Sequence, residues 1–467
     1  MEGKLKVDAN YRKIYSRLLK CVICISTLLL LLILFRNQNL TSISLISRKN
    51  GSGASHSDQS SVIETMAAKL RESVTFLPLK DLRFSETAMI GNTWFMSSLN
   101  DSYEMNEAEY LYFPSEVSKG RLLCIRGRDM SDGTKNFYAL AWRESLPNNA
   151  TLLSGLTYVS NTYYNYLNLW HGLCAMTPFV RWTMKNKCIK PDRWVLFHWG
   201  ELEIRTGSWI QQLMLANYGE FKFEGFDKGD GPYCFEKAVV MRHDLGSMGL
   251  DNKLKVYDMM RCKAREFCNL FVPERSMEVD ERGLPVIRLT LLMRRGSRSF
   301  KNATLVTDIF SRECDRAEGC VLKVFQSEDL SFCDQVKVMT YTDVVASPHG
   351  AQLTNMFFMD RGSSVMEFFP KGWLEHAGVG QYAHHWMANQ SGMKHQGAWC
   401  DSTGEDCPTP KDDRKCFLFH KDGKVGVNET YFAEWIRKVL HEVRVSKLEA
   451  TKTPIAKEQL SNNVCAC

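Results

Sequence analysis

Arg294, Arg295, Arg298 and Lys301 fall within one short segment, MRRGSRSFKN (293–302), and His349 and Gly350 sit in a second, ASPHGAQLTN (346–355). The first segment supplies positive charge. The second supplies backbone amides at a helix start, where the helix field favours an anion. Taken singly, four basic residues in a turn are as readily a solvated face. Together the two segments suit a diphosphate. Glu367, inside the apolar stretch SVMEFF (364–369), is costly unless satisfied. It reads either as a residue alternating outward to solvent or as an acceptor for ribose hydroxyls. His384, His385 and His395 have no carboxylate or cysteine at ligand spacing, so they read as surface or cleft-rim residues, and no metal ligand set is expected.

These segments need a scaffold, and the C-terminal half has the rhythm of one. Strand patterns at 286–294, 321–325, 342–347 and 364–369 alternate with helical patterns at 303–314, 328–339 and 351–359. Such alternation argues for α/β architecture with a parallel sheet covered on both faces. Ligands of these sheets bind beyond the carboxyl ends of the strands, which is where both segments lie. Residues 75–265 are less regular, with strands expected at 121–127, 194–199 and 238–242 and helices near 165–184 and 208–217. The aromatic run YVSNTYYNYLNLW (158–170) reads as an amphipathic core helix before it reads as a sugar-stacking surface. A late amphipathic helix is expected over 430–444.

The chain has 467 residues, 44% of them hydrophobic and 11% aromatic, enough for sizeable cores and against disorder as its main state. Its net charge is +6. Residues 1–20 carry six basic against two acidic side chains, so most of that charge is local and nucleic-acid binding loses its support. Residues 21–35 are an uncharged, largely apolar run with no small-residue cleavage site after Phe35, which reads as a signal anchor. The positive-inside rule makes 1–20 a cytosolic tail and places the rest in the lumen, a single-pass type II topology. Seven N-x-[S/T] sequons, at Asn39, Asn50, Asn100, Asn149, Asn302, Asn389 and Asn428, agree. Fourteen of the sixteen cysteines follow Phe35 without C-x-x-C spacing, so disulfides are expected. Cys465 and Cys467 read as a tail pair or as a disulfide link between chains. The expected organisation is then a stem over 36–74, an N-terminal acceptor-side domain over 75–265, a C-terminal nucleotide-sugar domain over 266–445, and a disordered tail over 446–467.

The segment VVASPHGAQLTNMFFMDRGSSVMEFFP (344–370) resembles the H-G-A-x-L-T-N signature and following acid-bearing strand of the family 61 glycosyltransferases. MRRGSRSFKN is similar to that family's R-x-x-S-R-x-x-x-N turn, YCFEKAVV (233–240) to a Cys-Phe strand, and NLWHGLCAMTP (168–178) to an N-x-x-H-x-x-x-D segment. The resemblance implies a GT-B-like fold, two Rossmann-like domains facing across a cleft, anchored in the Golgi membrane, with the endoplasmic reticulum as second choice. It implies inverting transfer of a sugar, of the pentose or N-acetylglucosamine class, from a UDP-sugar to a glycan or glycoprotein, with no tightly bound cofactor and the metal requirement open. Arg294, Arg295, Arg298, Lys301, Asn302, His349 and Gly350 would then hold the donor diphosphate and Glu367 its ribose. No Asp-x-Asp triplet occurs. One departure matters: Ala175 stands where the family pattern has aspartate. A base must then come from elsewhere, with His171 first, Asp244 second, and Glu201 and Glu203 third. If none serves, the chain is a degenerate transferase acting as a lectin or assembly partner. A phosphate or sulfate transferase would also need a basic anion loop.

Overall fold

The computed structural model describes residues 61–66, 69, 73–81, 94–96, 99, 100, 102–162, 164–241, 248–271, 275, 278–452 and 465. The chain forms two units, Met1–Leu70 and Arg71–Cys467. In the first, residues 61–66 are helical, inside the expected stem. The expected cytosolic tail and the anchor at 21–35 lie outside the described residues. Among the described residues, no helix is long and apolar enough to cross a membrane.

The second unit is mixed α/β. Its first large sheet has nine strands: β1 (Leu77–Pro78), β4 (Tyr110–Phe113), β5 (Leu122–Arg126), β6 (Phe137–Ala141), β7 (Thr151–Thr162), β8 (Arg193–His198), β9 (Glu201–Glu203), β10 (Lys222–Phe223) and β11 (Tyr233–Met241). A separate two-stranded ribbon pairs β2 (Lys80–Asp81) with β3 (Trp94–Phe95). β11, β7, β8 and β10 run parallel, and β1, β4, β5, β6 and β9 pair antiparallel. The start of the aromatic run is therefore strand, not helix: Tyr158 to Thr162 finish β7, and α1 (Leu169–Lys185) begins only at its end. Aromatic and β-branched residues suit a pleated, buried surface. Tyr158 is fully buried against Phe179 and Trp194.

The second sheet is all parallel, in the order β13 (Cys320–Gln326), β12 (Ile287–Met293), β14 (Val344–Pro348), β15 (Ser364–Phe369), β16 (Lys394–Cys400). Every residue of β14 and β15 is buried, as expected for central strands covered on both faces. On one face Leu291, Ala346, Met366 and Phe368 pack against α4 (Ala303–Arg316) and the long α9 (Glu429–Lys452). On the other, Leu292, Val345 and Val365 join a core built from α1, α2 (Ser208–Tyr218), α3 (Leu250–Phe267) and the 3-10 helix Ala351–Phe358. That core also takes Tyr158, Trp194 and Val239 from the first sheet, so one helical layer serves both sheets. The helix expected at 328–339 is a 3-10 turn, Ser327–Asp329, followed by α5 (Phe332–Thr340).

Two expectations for the C-terminus are corrected. The last helix runs to Lys452, past the expected start of a disordered tail. Cys465 is bonded to Cys262 of α3, so it forms neither a tail pair nor a link between chains; Cys467 lies outside the described residues. Cys124–Cys234, Cys268–Cys333, Cys314–Cys320 and Cys407–Cys416 are also disulfides. Cys174 and Cys400 are free thiols.

Candidate active site

The order β13-β12-β14 reverses direction between β12 and β14. A crevice opens beyond the strand ends at such a switch point, and it is where ligands of open α/β sheets bind. The loops leaving those two strands are the basic segment and the His349–Gly350 turn. The Arg294 guanidinium crosses between them, donating from Nη1 to the His349 carbonyl at 3.0 Å and to Gln352 Oε1 at 3.2 Å. A Cβ on Gly350 would collide with that guanidinium and with Gln352, so glycine is needed for the close approach.

Arg298 adopts a left-handed backbone (φ 58°), its amide donating to the Gly423 carbonyl at 2.8 Å. Its guanidinium lies 4.7 Å over the Trp373 ring of the short helix α6 (Trp373–His376). The Nε atoms of both Arg294 and Arg298 are buried without a partner. Burial pulls both arginines down, Arg298 to about 10, yet both remain cations at neutral pH. Neither forms an ion pair among the described residues. Glu328 and Asp422 act on them only from a distance, and two partly desolvated cations with no carboxylate in contact are an incomplete arrangement that an anion completes.

The other members of the basic segment are placed differently. Arg295 turns outward and pairs with Asp329 through both terminal nitrogens, at 2.7 and 2.6 Å. Lys301 is 3.4 Å from buried Asp401 and lines a cavity of about 550 Å³ with Lys371, Lys424 and His420. Asn302 caps α4, its Oδ1 accepting from the Leu305 amide at 3.0 Å, as N-cap residues do. Arg295 and Asn302 are thus removed from the expected diphosphate contacts.

Glu367 is also corrected. On β15 it shares a face with Val365 rather than with Met366 and Phe368, and so points into the helical layer and not to solvent. It is 1% exposed. Its Oε1 is 2.6 Å from His349 Nδ1 and 2.6 Å from His384 Nδ1 on α7 (Ala383–Gln390), and its Oε2 is 3.0 Å from His395 Nε2 on β16. With both oxygens engaged by imidazoles, the carboxylate positions histidines and does not meet a ribose. Burial alone would raise the Glu367 carboxyl, but the three imidazoles outweigh it and hold the group well below the usual range. Burial pulls His349 down to about 4 against the attraction of Glu367, so His349 is neutral at pH 7.

An ionised carboxylate only accepts hydrogen bonds, which fixes the tautomers. His349 and His384 donate to it from Nδ1, and His395 from Nε2. His395 Nδ1 can then accept from the Gly397 amide at 3.3 Å. His349, Glu367 and His384 are also a set whose ligand atoms gather within 4.8 Å. Separations of 2.6 Å are hydrogen bonds, however, shorter than the ~3.3 Å between tetrahedral ligands each ~2.0–2.1 Å from an ion.

On the first-sheet side, Asn168 caps α1 by accepting from the Trp170 amide at 3.0 Å. Trp170 meets the His384 ring edge-on at 6.2 Å, and His171 stacks on Tyr164 at 4.2 Å. The first turn of α1 therefore lies against the histidine cluster. Ala175, one turn on, is buried in the core. Glu201 and Glu203 are on β9, where burial raises Glu203. Asp244 lies outside the described residues. Sequence reasoning missed His384 and His395 as partners of Glu367. The available signal was Glu367 itself, since an acid in a strand buried on both faces requires buried donors.

Residues 160–366 match the model of the Glycosyltransferase 61 family. Over that span, a little under half of the chain, the sequence is similar to glycosyltransferase family 61. The family 61 span includes His171, the basic segment and His349, and ends one residue before Glu367, so His384 and His395 lie beyond it. No curated protein sequence matches the chain. A solved structure described as the bacterial iron-containing dodecameric glycosyltransferase TibC, from enterotoxigenic E. coli H10407, is 11% identical, with 76% of this chain and 97% of that one covered and a TM-score of 0.28.

Proposed function

We propose that this chain is a family 61 glycosyltransferase, transferring a sugar, of the pentose or N-acetylglucosamine class, with inversion from a UDP-sugar to a glycan or glycoprotein. The observation that carries the donor half is the pair Arg294 and Arg298, desolvated and without carboxylate partners at the switch point of a parallel sheet. They take the diphosphate, and the amides opening the 3-10 helix at Gly350 assist. His349, with Nδ1 committed to Glu367, offers the donor only its Nε2. As the acceptor oxygen bonds to the anomeric carbon, the bond to the diphosphate breaks and its electrons leave with the nucleotide. Stabilising that departing charge is the task of the guanidiniums.

The all-parallel second sheet and the parallel strands β11, β7, β8 and β10 of the first support a GT-B-like reading of the architecture. The apolar run at 21–35 with its charged leader, the sequons and the disulfides support a type II anchor in the Golgi membrane. Titrating the purified protein with UDP and other nucleotides tests the donor site. No binding, or binding unchanged in R294A and H349A, overturns it. A second reading, a catalytically degenerate lumenal binding protein, is favoured by Ala175, and it predicts UDP binding without turnover against a panel of UDP-sugars.

A further inference from the structure

The histidine cluster contains one group that the donor site does not use. His384 is 2% exposed. Its Nδ1–H is held by Glu367, and its Nε2 is buried without a hydrogen-bond partner. In the neutral imidazole the proton that Glu367 requires is on Nδ1, and Nε2 then carries a lone pair. A buried acceptor left unsatisfied costs ~1–3 kcal/mol and calls for an explanation. A hydroxyl group would satisfy it. The imidazole also sits in a telling place, with its ring centre 5.0 Å from that of His349 at the donor loop and its edge toward Trp170 in the first turn of α1. It lies between the loops that leave β12 and β14 and helix α1, which holds no carboxylate of its own and has Ala175 where the resemblance implies an aspartate.

We propose that His384 is the general base of the reaction, oriented by Glu367, and that it replaces across the cleft the carboxylate absent from α1. The assignment rests on the glycosyltransferase reading above. The acceptor hydroxyl donates to His384 Nε2. As its oxygen bonds to the anomeric carbon, the O–H proton passes to Nε2, the bond from that carbon to the nucleoside diphosphate breaks, and the diphosphate departs with the electron pair. The resulting imidazolium is stabilised by the Glu367 carboxylate, a carboxylate–imidazole arrangement that catalysts use to hold a histidine in one tautomer. Other titratable groups around His384 are His349 after β14, His395 on β16, and His385 beside it on α7; α1 presents neutral Trp170 and then His171. Nε2 is closed to solvent, so the acceptor reaches it only when a side chain around it moves.

The test compares wild type, H384Q, H384A and E367Q. UDP affinity is measured by calorimetry, and UDP release and sugar transfer are measured with UDP-N-acetylglucosamine, UDP-xylose and UDP-arabinose across pH 5.5 to 9. H384Q keeps an N–H for Glu367, which guards against misfolding. For H384Q the expected result is UDP affinity within about twofold of wild type, kcat lower by about 10²-fold or more and loss of the acidic limb of the kcat profile, with partial rescue of H384A by added imidazole and a lowered kcat in E367Q. A kcat for H384Q within a few-fold of wild type, or an unchanged acidic limb, overturns the assignment. Wild type that binds UDP but turns over no donor is a separate outcome, which removes the transferase reading and this assignment with it.

Discussion

The Arg298 guanidinium lies 4.7 Å over the Trp373 indole, held there by a left-handed backbone and without a carboxylate partner. Stacking fixes the plane of the cation while leaving its N–H edge free, and lysine cannot reproduce that geometry. R298K should therefore weaken UDP binding about tenfold, a loss of ~1.4 kcal/mol, and R298A more. Calorimetric titration checks this, and R298K affinity equal to wild type would count against the donor site.

Gly350 leaves the space that Arg294 fills. In G350A the new methyl group displaces the guanidinium while the backbone (φ 162°) remains one that any residue adopts. We expect loss of UDP affinity comparable to R294A, with the midpoint of thermal unfolding lowered by only a few degrees. Titration and calorimetric unfolding measure the two effects separately.

His349 makes stability depend on pH. Its folded value of about 4 lies below its ordinary 6.5, so between those values the unfolded chain binds a proton that the folded chain refuses. Stability is full above pH ~6.5 and falls toward pH 4, by up to ~3 kcal/mol from this group. Glu367, also held low, acts in the same direction, its contribution beginning to fall near the ordinary carboxylate range. Urea unfolding at pH 7.0 and 5.0 should show the loss, and H349N should reduce it.

Asn355 of the H-G-A-x-L-T-N segment accepts from Trp209 Nε1 at 2.9 Å and donates to Gln335 at 2.7 Å and to the Gln352 carbonyl at 2.9 Å. Its work is inside the core. N355A leaves the Trp209 indole N–H buried and unpaired, which costs ~1–3 kcal/mol. Denaturant unfolding should register that loss while UDP affinity stays within a few-fold.

The second sheet was legible because each of its buried strands is a short β-branched or apolar run and each crossover carries a helical stripe. Tyr158–Thr162 was not, since an aromatic cluster fits a buried strand and a helix face equally well and only the pairing with Val239 and Trp194 decides. The basic segment and the His349 turn could be placed together because both follow expected strands of one sheet. The partners of Glu367 could not: His384 and His395 stand 17 and 28 residues away, and they meet the carboxylate only because α7 and β16 fold back across β15. Ion pairing also sorted the basic segment, sending Arg295 to Asp329 and leaving Arg294 and Arg298 to the crevice.

The helical layer shared by the two sheets has a practical consequence. Arg261 Nε donates to the Phe357 carbonyl and its Nη2 to that of Ser391, while Arg265 Nη2 reaches the carbonyl of Phe358, so α3 is bolted to the C-terminal half by its backbone. A fragment cut near residue 266 would strip that half of its lid and bare Met356, Phe357 and Phe358 to water. The C-terminal half of this chain is therefore not a transplantable module, and chimaeras that exchange it must carry α1, α2 and α3 together with the second sheet.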